Sequence, residues 1–421
     1  MNEKAEYCLN CKNKPCSIKG CPINTQIPEF INEIKNNNLE KALDILHENN
    51  VMSHICSIVC PQENQCEGSC IRGIKGKPTE IGNLERFVNE WAIKNNYEYK
   101  VDLKEKNGKK IAIIGSGPAG LQCAYELLKE GFSVDIYEKE SILGGVLMYG
   151  IPDFRLSKDL VNEVIDRLKK LGATFFINKE LGKDFSLEEI GKKYDYIFLG
   201  IGANKSSVYK LSENEIDGVY ESNYFLKKYY EKDYIKNLGT VVVIGGGNVA
   251  MDSARTALRM GAKKVKILYR RDRKHMPALE RELDDALKEG IEFHELTRVI
   301  SANINDRKIK SLKCIRTQII DGKAVDSEGD FFEEEANSVI FAIGLKPDKD
   351  LIQNQGLEID EWGYIKVDEN GKTSIDNVYA GGDVLDNKAT VCRALAAGKK
   401  SAKSIISLYK SQESLYNAEK I

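Results

Sequence analysis

At 421 residues the chain is long enough for two to four domains, and 42% hydrophobic with 30% charged residues is the balance of a globular protein, not a disordered or fibrous one. Its 62 basic and 64 acidic side chains leave a net charge of −2, without the basic footprint of a nucleic-acid binder. No run approaches the roughly 18 apolar residues of a membrane span, and the opening MNEKAEYCLN lacks the apolar stretch of a signal peptide, so a cytoplasmic protein is expected.

The chain opens on cysteines. Eight of the eleven fall between Cys8 and Cys70, as Cys8-x2-Cys11-x4-Cys16-x4-Cys21-Pro22 and Cys56-x3-Cys60-Pro61-x4-Cys66-x3-Cys70. In a reducing compartment such clustering points to metal or redox chemistry ahead of disulfides. Structural zinc usually pairs two short hooks, whereas cysteine runs with a Cys-Pro ending are closer to iron–sulfur ligation. Iron–sulfur therefore leads, zinc is the alternative and a disulfide framework comes last. Between the runs, Ile27, Phe30, Ile31 and Ile34, then Leu39, Ala42, Leu43 and Leu46, recur at helical spacing and predict short helices packed around the cysteine loops. The polar stretch around residues 95–110 reads as a linker.

KKIAIIGSGPAGLQCAYELLKEGFSVDIYEKE follows, with an apolar strand, a glycine turn, a helix and a second strand. Gly115, Gly117 and Gly120 form G-x-G-x-x-G, and Glu138 closes the second strand. Glycines there let backbone approach a pyrophosphate at the positive end of a helix, while the acid accepts hydrogen bonds from a ribose diol. About 130 residues later GTVVVIGGGNVAMDSARTALRMGAKKVKILYRRDR repeats the order with Gly245, Gly247 and Ala250. No acid stands at the end of its second strand; Arg270 and Arg271 do, and guanidinium groups fit a 2′-phosphate, which favours NADP(H) over NAD(H). The alternative is a solvated arginine pair with Asp272 on the ribose. SILGGVLMYGIPDFRL lies between the two units, and SVIFAIGLKP and NVYAGGDV come after the second; these short apolar strands ending in glycine are read as completing the first domain after the second has been inserted into it.

Two dinucleotide sites in one chain predict hydride exchange between a nicotinamide and a flavin, which needs alignment and no side-chain base. None of His47, His54, His275 and His294 forms a nucleophile or metal constellation, and no catalytic side chain is assigned. Cys123, Cys314 and Cys392 read as ordinary small side chains, so electrons are expected to leave through the N-terminal cysteine cluster.

CLNCKNKPCSIKGCP, VCPQENQCEGSC and IGNLERF in that order, followed by GSGPAG, YGIPDFRL, GGGNVAMD, YRRDRKHMPA and AGGD, resemble the small subunit of NADPH-dependent glutamate synthase. Similar modules occur in the large subunit of the NADH-dependent ferredoxin–NADP oxidoreductase, in sulfide dehydrogenase and in the N-terminal part of dihydropyrimidine dehydrogenase. The resemblance covers nearly the whole chain. It implies an α-helical domain with two [4Fe–4S] clusters at 1–105, then two Rossmann-like, glutathione-reductase-like α/β domains: FAD-binding at 106–236 and 346–421, NADP(H)-binding at 237–345.

By the same resemblance Cys8, Cys11, Cys16 and Cys70 would hold one cluster, and Cys21, Cys60 and Cys66 the other, with Glu85 as its fourth ligand. Spacing alone leaves Cys56 as the rival to Glu85. FAD would lie on Gly115, Ser116, Gly117, Pro118, Ala119, Gly120, Glu138, Lys139, Gly145, Leu147, Arg155, Gly382, Asp383, Thr390 and Val391, with Gly344 a further cofactor-binding residue. NADP(H) would lie on Gly245, Gly246, Gly247, Asn248, Val249, Arg270 and Arg271. The implied function is electron input, from NADPH through FAD and two clusters to a partner: a large glutamate-synthase-type subunit, or a second flavoprotein with ferredoxin in a bifurcating transhydrogenase. A sulfide dehydrogenase role shares the motifs. The non-enzyme alternative is a degenerate or zinc-bound interaction subunit, and homo-oligomerisation is left open.

Overall fold

The computed structural model describes residues 1–213 and 215–418. These form two compact units, one of residues 1–147, 155–203 and 347–421, the other of residues 148–154 and 204–346.

After a short helix, Asn2–Glu6, the first unit has four longer ones, Ile27–Lys35, Leu39–Asn49, Ser53–Val59 and Ile81–Lys94. Pro28 starts the first of them without costing an intrahelical hydrogen bond, and the Asn38 side chain accepts from Lys41 N–H at the start of the second. The predicted stripes all face inward: Phe30, Ile31, Ile34, Ala42, Leu43 and Leu46 share one buried core with Leu84 and Val88, and Cys16 and Cys66 sit in its wall. The stretch read as a linker is a strap. Tyr97 N–H donates to Ala92 at the end of the helix Ile81–Lys94, Lys104 N–H to Lys129 and Asn107 N–H to Gly131, so its polar backbone is satisfied by helix ends and turns.

The strap also lays the Tyr99 ring on the His47 imidazole, with centroids 3.9 Å apart and planes at 8°. His47 Nε2 faces Asn89 Oδ1 at 2.9 Å, and the ring is buried. Burial holds its pKa down to about 4, so the folded chain keeps a neutral imidazole where the unfolded chain, near 6.5, takes up a proton. This contribution to stability is complete above pH 6.5 and declines as the pH falls, by about 3 kcal/mol at pH 4. We expect the thermal midpoint to fall between pH 7 and pH 5, and to fall less in His47→Gln; an equal fall in both would assign the acid sensitivity elsewhere.

The rest of the first unit is a five-stranded parallel sheet in the order Val378–Ala380, Tyr196–Leu199, Lys110–Ile114, Ser133–Tyr137 and Thr174–Phe176. Apart from exposed Lys110, its two central strands are buried along their whole length, as a parallel sheet covered on both faces requires. The helix Pro118–Lys129 follows the first strand and lies beside the C-terminal helix Val391–Ala418. They approach so closely that a Cβ on Gly398 would stand 2.0 Å from the Ala119 carbonyl oxygen. Among the described residues no helix is long and apolar enough to cross a membrane.

The second unit carries its own five-stranded parallel sheet, in the order Val219–Glu221, Ser338–Phe341, Thr240–Ile244, Lys264–Leu268 and Glu292–His294. An antiparallel sheet of Thr297–Asn305, Lys308–Ile320 and Lys323–Glu335 is added to it in sequence. Two expectations change here. Of the two late strands read as completing the first domain, only Val378–Ala380 does so, whereas Ser338–Phe341 pairs with Thr240–Ile244 inside the second sheet. The second unit also starts well before 236, because Val219–Glu221 is the parallel neighbour of Ser338–Phe341.

Candidate functional site

At the first glycine turn the backbone is tight on the protein side and open on the other. Gly115 has φ +103°, and a Cβ there would stand 2.4 Å from the Gly200 oxygen; one on Gly120 would stand 2.1 Å from the Gly115 oxygen. A Cβ on Gly117 would meet nothing within 4 Å. The space beside Gly117 is therefore open at the N-terminus of the helix that starts at Pro118, a cradle where the positive end of the helix dipole favours an anionic group.

Glu138 is buried at the end of its strand. Its Oε2 accepts from Ser116 N–H at 3.0 Å and Ser116 Oγ–H at 2.6 Å, and its Oε1 accepts from Glu140 N–H at 3.0 Å. A carboxylate has about four acceptor positions, so one remains for a ribose hydroxyl. Ser116 Oγ in turn accepts from Gly144 N–H at 3.0 Å, which brings the next loop to the turn. A Cβ on Gly145 would stand 3.0 Å from Gly117 Cα, and one on Gly382 would stand 3.1 Å from Ala119 Cβ, so both loops close on the same turn. Asp383 follows, its carboxyl pushed up to about 6 by burial and by Asp386.

Thr390 starts the C-terminal helix, its Oγ1 accepting from Arg393 N–H, and Val391 is half-buried beside it. Leu147 is fully buried and its carbonyl accepts from Lys158 Nζ, which makes its side chain part of the core. Lys139 is exposed, Arg155 is half-buried in the first unit, and Gly344 lies in the second unit with its carbonyl accepting from Ser207 N–H.

The second turn repeats the design. A Cβ on Gly245 would stand 2.3 Å from the Ala342 oxygen, while one on Gly247 would meet nothing within 4 Å. The Tyr269 ring covers Gly246, and Asn248 Oδ1 accepts from Leu279 N–H at 2.9 Å, so the segment after the strand folds back beside the turn. Val249 packs against the core of this unit. Arg270 is exposed and Arg271 half-buried, and neither makes an ion pair among the described residues. Asp272, the rival ribose ligand, is turned away to His275, accepting from its backbone N–H at 3.0 Å and facing its Nδ1 at 2.6 Å. Two guanidinium groups without a carboxylate partner at the strand end suit a phosphate better than a diol.

None of the eleven cysteines is joined in a disulfide. Cys8, Cys11, Cys16 and Cys70 line one small cavity with Leu9, Ile27, Ile31 and Ile81 around them. Thr79 N–H points at Cys70 Sγ from 3.5 Å. Burial pushes the Cys16 thiol up to about 11, a cost that binding a cation to the thiolate would reverse. Four convergent thiols in an apolar wall, one of them already receiving a backbone N–H, fit a [4Fe–4S] cluster.

The second set is organised in the same way. Thr25 N–H points at Cys21 Sγ from 3.5 Å, and Cys66 and Glu85 both act electrostatically with Cys21. Glu85 is buried, its Oε1 accepting from Ser53 Oγ–H at 2.8 Å, and burial pushes its carboxyl up to about 8. Cys21, Cys66 and Glu85 thus converge, and Cys60 reaches them through Cys392, which interacts with both Cys60 and Cys21, so the set suits a second cluster. One reading is corrected: Cys392 is not an ordinary packing side chain. Its Sγ lies within 4.8 Å of those of Cys56 and Cys60, all three buried, and it also interacts with Cys21. No local signal announces this, because Cys392 is more than 300 residues from its neighbours in sequence.

Residues 109–403 match the pyridine nucleotide-disulphide oxidoreductase family, and residues 1–97 match the dihydropyrimidine dehydrogenase domain II, 4Fe-4S cluster family. The chain is 32% identical to the glutamate synthase [NADPH] small chain of Escherichia coli, over 96% of this chain and 90% of that one. It is 34% identical to the oxidoreductase AegA of Escherichia coli over 96% of this chain, spanning 65% of AegA's length. Among solved structures, Mycobacterium tuberculosis FprA in complex with NADPH shares the fold, with a TM-score of 0.62 at 19% identity over 73% of this chain and 86% of that one. The chain thus carries an FAD/NAD(P)-binding oxidoreductase domain behind an iron–sulfur domain.

Proposed function

The chain belongs to the glutamate synthase small-chain family of pyridine nucleotide-disulphide oxidoreductases, and from that membership we propose that it is the electron-input enzyme of a larger system, oxidising NADPH and delivering electrons to a partner protein. When bound, FAD would accept a hydride from NADPH, and two [4Fe–4S] clusters would carry the electrons onward one at a time.

The residues divide this work. The cradle over Gly117 and the remaining acceptor of Glu138 would bind and orient FAD, and Gly247 with Arg270 and Arg271 would take NADPH. Cys8, Cys11, Cys16 and Cys70 would hold the first cluster, and Cys21, Cys60, Cys66 and Glu85 the second. The observation that carries the reading is the presence, in one compact unit, of the Gly117 cradle and both thiol sets. The zinc-bound or degenerate alternative is disfavoured by the same turn, which is shaped to a ligand the alternative does not need.

We place the protein in the cytoplasm, on the support of eleven cysteines none of which is joined in a disulfide. Its partner in this reading is a large glutamate-synthase-type chain, and the rival is a second flavoprotein working with ferredoxin. The test is NADPH oxidation by the anaerobically purified chain with an artificial one-electron acceptor. Turnover with NADPH and little with NADH is expected; no bleaching of a bound flavin by NADPH would overturn the proposal.

A further inference from the structure

The thiols of Cys56 and Cys392 are used by neither assigned ligand set, yet they are buried against one of its members. Cys56, Cys60 and Cys392 place their sulfurs within 4.8 Å of one another. Cys56 and Cys60 stand one helical turn apart, with Cys60 N–H donating to the Cys56 carbonyl at 3.0 Å. Cys392 arrives from the other side, as the second residue of the helix Val391–Ala418, next to the Thr390–Val391 pair that would meet the flavin.

Helix and cysteine loops are locked together within one compact unit. Lys399 Nζ, further along the same helix, donates to Asn49 Oδ1 at 2.7 Å and to the Ile23 carbonyl at 3.4 Å. Gln122 joins from the neighbouring helix, accepting from Val51 N–H at 3.0 Å and donating to the Asn49 carbonyl. The position of Cys392 beside Cys60 is therefore set by packing.

Three sulfurs this close cannot each take a separate iron of one cube, because a cube points its thiolates apart from four different corners. If Cys60 ligates, its two neighbours are left as thiols, each buried with an S–H to donate. A thiolate on a cluster gains most from such donors when the cluster is reduced, since reduction adds negative charge. We propose that Cys56 and Cys392 donate S–H hydrogen bonds to the Cys60 thiolate and raise the reduction potential of the second cluster, with Cys392 doing so from the helix that starts at the flavin. This rests on the cluster assignment above. It makes both cysteines positioning and tuning residues, not ligands.

The test is an EPR-monitored redox titration of the anaerobically purified holoprotein and its variants, with iron counted in each. Cys392→Ala is expected to shift the oxidised-to-reduced equilibrium of one cluster about tenfold toward the oxidised form, about 59 mV for a one-electron couple, with iron content and the other cluster unchanged. Cys392→Ser keeps a hydroxyl donor and should recover most of the shift, which a merely structural role would not predict. Cys56→Ala should move the same cluster in the same direction, giving a second variant if the first is unstable. An unchanged potential in both alanine variants, or loss of iron from Cys392→Ala, would overturn the proposal. Zinc in place of iron in the unsubstituted protein would instead overturn the cluster assignment itself.

Discussion

Changing Arg270 and Arg271 together to Ala is expected to raise the Michaelis constant for NADPH by about 30- to 100-fold and that for NADH by less than about threefold, because only NADPH carries the 2′-phosphate that the two guanidinium groups would hold by charge-assisted hydrogen bonds. Each such bond is worth about 1.5–3 kcal/mol when well enclosed; with Arg270 exposed and Arg271 only half-buried, the two together are expected to contribute about 2–2.7 kcal/mol. The geometry supports the assignment because neither guanidinium has a carboxylate partner among the described residues, while Arg273 beside them is paired with Glu280 and Asp284. The same electrostatic attraction should make the NADPH constant rise with salt and leave the NADH constant nearly flat. Equal effects on both nucleotides would show that the pair is a solvated surface feature.

A comparison of two glycines separates binding from folding at the first turn. Gly117→Ala adds a methyl group where the protein has no atom within 4 Å, so the thermal midpoint should hardly move. The same methyl group intrudes where FAD pyrophosphate would approach the backbone, and flavin affinity should fall about 100-fold or more. Gly120→Ala puts its methyl group 2.1 Å from the Gly115 oxygen, so helix and strand must separate. Overpacking of this kind costs about 1–3 kcal/mol, and both stability and flavin binding should suffer. If Gly117→Ala retained flavin as tightly as the parent, the cradle would not be the pyrophosphate site.

What could be read from the sequence was local. Gly115, Gly117, Gly120 and Glu138 declare a strand–turn–helix–strand because the backbone demands of that turn are met within a short stretch of chain. The helical stripe at Ile27, Phe30, Ile31 and Ile34 is equally local and packs as its spacing predicts. The parallel pairings were harder. Val219–Glu221 is three residues long and joins a strand more than 100 residues later, so nothing in its own composition says which sheet it enters. The same holds for Ser338–Phe341, which reads like Val378–Ala380 and differs only in its neighbours.

The antiparallel sheet was missed although a signal existed. Asp321-Gly322 between Lys308–Ile320 and Lys323–Glu335 is a hairpin dipeptide flanked by alternating burial. In the site, the proposed ligand sets come from the family resemblance, because cysteine spacing alone leaves Cys56 beside Glu85, and Cys392 required the fold. Its role depends on the last helix passing the cysteine loops, a long-range approach that no motif encodes.

In the proposed function the chain holds a flavin and two iron–sulfur clusters and draws electrons from NADPH. Iron, zinc and flavin quantified per chain after anaerobic purification test it most directly. Roughly eight irons and one FAD per chain are expected, with zinc at trace level, as two four-iron clusters require. About one or two zinc ions per chain, with neither iron nor flavin, would contradict it and make the cysteine domain a structural module.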